Sequence, residues 1–134
     1  MRKALVVEDF KLISEIWKTV LLEMGFERVE VIDNSDDVED YLINFDPEII
    51  LMDINLPGDL NGIELSESII KKNKDRKILI LTIHTEPTYI QRAMEIGASG
   101  FITKNSSIPE LKKAIAEILA GNTYVCEEVG GKWS

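Results

Sequence analysis

Two unbroken apolar runs, IILM at residues 49–52 and ILIL at 78–81, constrain this chain more than any other feature. A strand with one face in water alternates apolar and polar side chains, whereas a continuous β-prone run is expected to be covered on both faces. Each run lies between segments of helical periodicity. Residues 4–7 predict a first strand, closed by Glu8 and Asp9, and Ile13, Ile16, Trp17, Val20, Leu21 and Met24 then recur at helical spacing up to Gly25. The alternation continues with a strand at 29–32, a helix over 35–45 capped by Ser35, and the strand at 49–52. A Pro-Gly loop follows, then a helix near 61–73, the strand at 78–81 and a helix near 86–96. Phe101 and Ile102 make a fifth strand, and a last helix carries Ile108, Leu111, Ile115, Ile118 and Leu119 to Gly121.

Five strand–helix units of this kind predict an α/β fold with a doubly wound, five-stranded parallel sheet flanked by helices, because parallel strands need crossover connections. A closed eight-stranded barrel needs roughly 200 residues or more, and the chain has 134. The repeating pattern covers residues 1–122 as one domain. Residues 123–134 have too little pattern for an assignment and read as the start of a linker or a C-terminal tail.

Composition narrows the function classes. A formal charge of −9 makes the domain a poor unaided ligand for nucleic acid, whose affinity comes from clustered Lys and Arg. No apolar run approaches the roughly 18 residues of a membrane span, and the first residues lack the apolar region of a secretory signal. Cys126 is the only cysteine, which rules out an internal disulfide and suits a reducing, cytoplasmic setting.

Open α/β sheets bind ligands beyond the carboxyl ends of their strands. The residues there are Glu8 and Asp9 after the first strand, Asp53 after the third, Thr82 after the fourth and Lys104 after the fifth. Carboxylates crowded at one rim repel each other unless a cation lies between them. An oxygen-only donor set favours Mg2+, which keeps waters and shares phosphate oxygens, and the lack of Cys or His there disfavours zinc. Asp53, at the end of a buried strand, could face such an ion and act as a nucleophile toward a phosphoryl group. Lys104 would neutralise charge and Thr82 would hydrogen-bond a phosphoryl oxygen.

Glu8-Asp9, Asp53, Pro57, Gly62, Thr82 and Lys104, in this order and at these strand ends, resemble the receiver domain of two-component response regulators over about residues 3–122. The stretch ASGFITKNSSIPELKKAIAEILAGNTYV further resembles receivers that precede a LuxR-type (NarL/FixJ-like) helix-turn-helix domain. The resemblance implies that Asp53 is the phosphoacceptor and that Glu8 and Asp9 hold Mg2+. It implies that Asn55 offers the metal a backbone carbonyl and that Thr82 and Lys104 contact the phosphoryl group. Phe101 matches the switch aromatic whose inward rotation accompanies a shift of Thr82. The implied donor is a sensor histidine kinase, a phosphotransfer protein or a small acyl phosphate. The implied output is transcription through a DNA-binding domain outside these residues, with a homodimer among the expected assemblies. The receiver is not expected to be an enzyme beyond phosphorylating itself and slowly reversing that step.

Three departures from the family pattern stand out. Asn105 replaces the proline that often follows the lysine, so no cis peptide is required there. The loop from Asp53 to Gly62 is about one residue longer than usual. Ile83 stands where a small residue is commoner, and its branched side chain is expected to narrow access to the phosphoryl group. Two rival readings fit less well. A haloacid-dehalogenase-like phosphatase calls for a second acid two residues after the nucleophile, where Asn55 stands, and a flavodoxin-like cofactor site calls for a Ser/Thr/Gly-rich loop in place of EDFKLIS. A stand-alone or pseudo-receiver working by protein contacts is the remaining alternative, with an excised receiver expected ahead of it. His84 is expected at the exposed rim, Trp17 in the core, Trp133 in a tail, and KKNKDRK at 71–77 as a solvated helix end.

Overall fold

In the computed structural model, which describes residues 2–84 and 86–126, the elements run β1 (Lys3–Val7), α1 (Lys11–Glu23), β2 (Arg28–Ile32), α2 (Val38–Asn44), β3 (Ile49–Asp53), α3 (Gly62–Lys72), β4 (Ile78–Thr82), α4 (Pro87–Glu95), β5 (Gly100–Thr103), α5 (Ile108–Leu119) and β6 (Tyr124–Val125). All strands pair in parallel, in the order β2-β1-β3-β4-β5-β6. The doubly wound α/β sheet expected from the apolar alternation is therefore present. Its two continuous apolar strands, β3 and β4, are buried at every position, as strands covered by helices on both faces must be.

The helices follow from local signals. Asn61 and Glu64 form a reciprocal capping box that starts α3, and Ser107 caps α5 by accepting from the Glu110 backbone N–H. The second helix is shorter than expected. Ser35 does not cap it, because its backbone N–H donates to the Pro57 carbonyl and its hydroxyl accepts from the Leu60 N–H. These bonds tie down the long loop after β3, and α2 starts only at Val38.

Trp17 is buried in the core, as expected. The basic run at 71–77 is a solvated helix end, as expected: residues 71–75 are exposed, and only Arg76 and Lys77 are partly covered. Lys72 pairs with Glu39 of α2, and Arg76, its side chain largely covered, pairs with Asp46. No helix among the described residues is long and apolar enough to cross a membrane. Tyr124 and Val125, for which the sequence pattern gives no assignment, add a sixth strand beside β5, while Trp133 lies outside the described residues.

Candidate functional site

The order β2-β1-β3 places the reversal of winding between β1 and β3. Val7 stands beside Met52, and Asp53 beside Leu81 of β4. The carboxyl ends of β1 and β3 thus meet at the switch point, where open α/β sheets leave a crevice. One carboxylate oxygen from each of Glu8, Asp9 and Asp53 lies within 4.8 Å of the others. Asp9 is exposed, whereas Glu8 and Asp53 are 1% and 2% exposed.

Lys104 reaches back from the end of β5 into this cluster. Its Nζ lies 2.6 Å from Glu8 Oε1 and 3.2 Å from Asp53 Oδ2. The Lys104 backbone N–H donates to the Thr82 carbonyl at 2.9 Å, which fixes the loop that carries the side chain. Glu8 Oε2 accepts from the Phe10 N–H at 3.1 Å. Burial pushes the Glu8 carboxyl above its ordinary range, and the charge of Asp53 adds to this, against the hydrogen bonds from Lys104 and Phe10. Burial alone would lower the Lys104 pKa, but its bonds to Glu8 and the nearby charge of Asp53 outweigh that and raise it.

Three carboxylates and one ammonium leave two negative charges in the site. The donors are all oxygens, one exposed and two buried, a set that fits a hard divalent ion. A cleft of about 480 Å³ opens beside Glu8 and Asp9, walled by Asp33, Asn34, Asp37 and Lys11. Its acidic walls favour entry of a cation over that of a free phosphate.

Thr82 is fully buried, and its hydroxyl accepts the His84 N–H at 3.1 Å, leaving its own proton to donate. Ile83 is 64% exposed beside it. Phe101 is fully buried on β5. All described peptides are trans, including the one after Lys104, where Asn105 donates its N–H to Thr103 Oγ1. The structure therefore brings Glu8, Asp9, Asp53 and Lys104 together, while Thr82 is buried at the end of β4 and Phe101 is buried on β5.

Some features were not visible in the sequence. Asn55 Nδ2 lies 2.8 Å from His84 Nε2, linking the loops after β3 and β4, and the His84 ring stacks on Tyr89 at 4.9 Å. His84 is consequently half-buried rather than exposed. A second link clamps the long loop after β3. At Gly58, whose φ is +121°, an added Cβ would fall 2.2 Å from Ser35 Oγ, and Asp36 Oδ1 accepts the Asp59 N–H. No local motif signals either link, because the partners lie more than twenty residues apart.

A flavodoxin-like sheet whose switch point gathers an acidic triad and a partly covered lysine around a strand-end aspartate defines a recognisable class of domain. Residues 4–116 match the family model described as the response regulator receiver domain. The chain belongs to that family of two-component signalling domains. It is 30% identical over 125 residues to the transcriptional regulatory protein DegU of Brevibacillus brevis, covering 92% of this chain and 52% of that protein. It is 30% identical over 132 residues to the response regulator GacA of Pseudomonas aeruginosa, covering 96% and 60%. A LuxR-family two-component response regulator from Aurantimonas superposes with a TM-score of 0.87 at 29% identity, covering 98% of this chain and 94% of that one. The chain spans 52% and 60% of the length of these two curated relatives.

Proposed function

We propose that this receiver accepts a phosphoryl group on Asp53 in a Mg2+-dependent reaction and uses the change to control an output. The observation that carries the proposal is the Lys104 ammonium held between buried Glu8 and Asp53, with Asp9 open to solvent at the same rim. An Asp53 carboxylate oxygen attacks phosphorus, the bond to the donor's leaving group breaks, and an acyl phosphate remains on Asp53. Glu8, Asp9 and Asp53 would hold Mg2+ together with the Asn55 backbone carbonyl, and the ion would supply charge neutralisation at the phosphoryl oxygens. Lys104 offsets charge from the other side, and the Thr82 hydroxyl has a proton to donate to a phosphoryl oxygen. The domain modifies itself and does not turn over a substrate.

The donor in this reading is a sensor histidine kinase, a phosphotransfer protein or a small acyl phosphate. In this reading the receiver expected over residues 1–122 also takes in β6 (Tyr124–Val125), which pairs with β5, and the linker or tail expected over 123–134 is shortened accordingly. The likeness to DegU, GacA and a LuxR-family regulator supports a DNA-binding output of LuxR type, and so transcriptional control in the cytoplasm, with a homodimer as the assembly that output would use. Phosphorylation adds charge at the rim, Thr82 and Lys104 follow it, and Phe101 stays in its buried position, which shifts an existing equilibrium by the differential stabilisation of one state.

The test is intact-mass measurement after incubation with acetyl phosphate. A labile adduct of roughly 80 Da, one phosphoryl group, is expected with Mg2+ present and absent with EDTA or in Asp53→Asn. An adduct that survives Asp53→Asn would refute the assignment.

A further inference from the structure

The sixth strand lies directly beside Phe101, the residue that matches the family's switch aromatic. Tyr124 donates its N–H to the Ser99 carbonyl at 3.0 Å, and Cys126 donates to the Phe101 carbonyl at 3.2 Å. The register pairs Gly100 with Tyr124 and Phe101 with Val125. An added Cβ on Gly100 would meet Ile118 of α5, so Gly100 faces α5 and Phe101, by alternation, faces the opposite side of the sheet. Tyr124 follows Gly100 toward α5, where its hydroxyl donates to Glu110 Oε2 at 3.0 Å. Val125, paired with Phe101, faces the other way by the same alternation, and it is partly buried against the core.

Gly100 is what allows this docking, since a Cβ there would stand 2.7 Å from the Tyr124 carbonyl oxygen. At its other end β5 leads straight into Lys104, whose Nζ touches Asp53. A four-residue strand therefore carries Lys104 at one end and an edge strand along its side. A two-residue edge strand with few hydrogen bonds opens more readily than the inner strands, so its docking is an equilibrium that the site can shift.

We infer that β6 is a positioning element of the switch: docked beside Phe101, it holds that residue in its buried place and thereby favours the loaded state of Asp53. The inference rests on the phosphoacceptor reading given above. Coupling between two sites is reciprocal, so a ligand on Asp53 that favours the docked state must also tighten β6, and loosening β6 must weaken that ligand by a matching factor. A strand that only fills the sheet edge would leave both quantities unchanged.

The experiment uses the whole chain with Mg2+ and beryllofluoride, which stands in for the phosphoryl group on an aspartate. Loading is read from Trp17 emission with Trp133→Phe as background, since Lys104 Nζ lies 5.9 Å from the Trp17 ring centroid. Amide exchange at Tyr124 and Cys126 is then followed by NMR, together with the half-saturating beryllofluoride concentration of Val125→Ala and Tyr124→Phe. At saturation, exchange at both amides is expected to slow by about fivefold or more. Each variant is expected to need a severalfold higher beryllofluoride concentration. Unchanged exchange with Asp53 loaded, or parental affinity in both variants, would overturn the role of β6 alone. No change in Trp17 emission or exchange with beryllofluoride would overturn the phosphoacceptor reading and this inference together.

Discussion

Removing the Lys104 ammonium tests the electrostatics of the site most sharply. In Lys104→Met the two carboxylates now 2.6 and 3.2 Å from Nζ would lose their cation, and their side chains are only 0% and 3% exposed. Breaking a buried ion pair by deleting one partner costs about 3–5 kcal/mol. The Lys104 side chain is 17% exposed, so water screens the interaction and the lower figure, about 3 kcal/mol, applies. An unfolding entropy of about 2.1 cal/mol/K per residue over 134 residues makes this a fall in Tm of about 10 °C. The assay is thermal unfolding at pH 7 in EDTA. Adding Mg2+ should restore most of the loss, because a divalent ion replaces the missing charge, and Lys104→Met/Glu8→Gln should recover part of it without metal. A Lys104→Met Tm within about 2 °C of the parent in EDTA would mean that these carboxylates already reach water, and the account of a buried charge cluster would be wrong.

Three further outcomes follow from the geometry. Gly62→Ala would put a Cβ 1.9 Å from the Asp53 carbonyl oxygen. It should cost about 3 kcal/mol in urea unfolding, and a loss within experimental error would show that the loop after β3 yields freely. Burial would raise the Glu39 pKa, but hydrogen bonds from Lys72 and Ser68 hold it below its usual 4.5. A depressed carboxylate stabilises the fold fully above its unfolded pKa and stops doing so as pH falls through its folded pKa. Glu39→Gln should therefore lose less than about 1 kcal/mol at pH 7, and the gap between parent and variant should close in melts carried below pH 4.5; a gap constant with pH would count against this. Ile83→Ala should speed phosphorylation by acetyl phosphate about threefold, about 0.7 kcal/mol of barrier, and equal rates would remove Ile83 from the control of access.

Much of this was legible because it is periodic. The unbroken runs IILM and ILIL, each set between helical segments, read as doubly covered strands, and in a parallel sheet the rim residues follow from the strand ends. That reasoning put Glu8, Asp9, Asp53, Thr82 and Lys104 at one rim, of which Glu8, Asp9, Asp53 and Lys104 are in mutual contact range, and the resemblance added Asn55 and Phe101. What escaped was set by long-range hydrogen bonds with no local signature. Ser35 looked like a helix cap, but it serves the loop after β3 instead, so α2 begins late. His84 looked exposed until Asn55 and Tyr89 were seen to enclose it. A strand as short as Tyr124–Val125 has no period to read, and its docking depends on a missing Cβ at Gly100.

The central claim is that Asp53 itself carries the phosphoryl group. Reducing the acetyl-phosphate-treated protein with borohydride turns an aspartyl phosphate into homoserine, and peptide mass mapping then locates it. The account predicts homoserine at residue 53 only, formed only when Mg2+ was present during phosphorylation. Homoserine at another aspartate, or equal yield at residue 53 in EDTA, would contradict it.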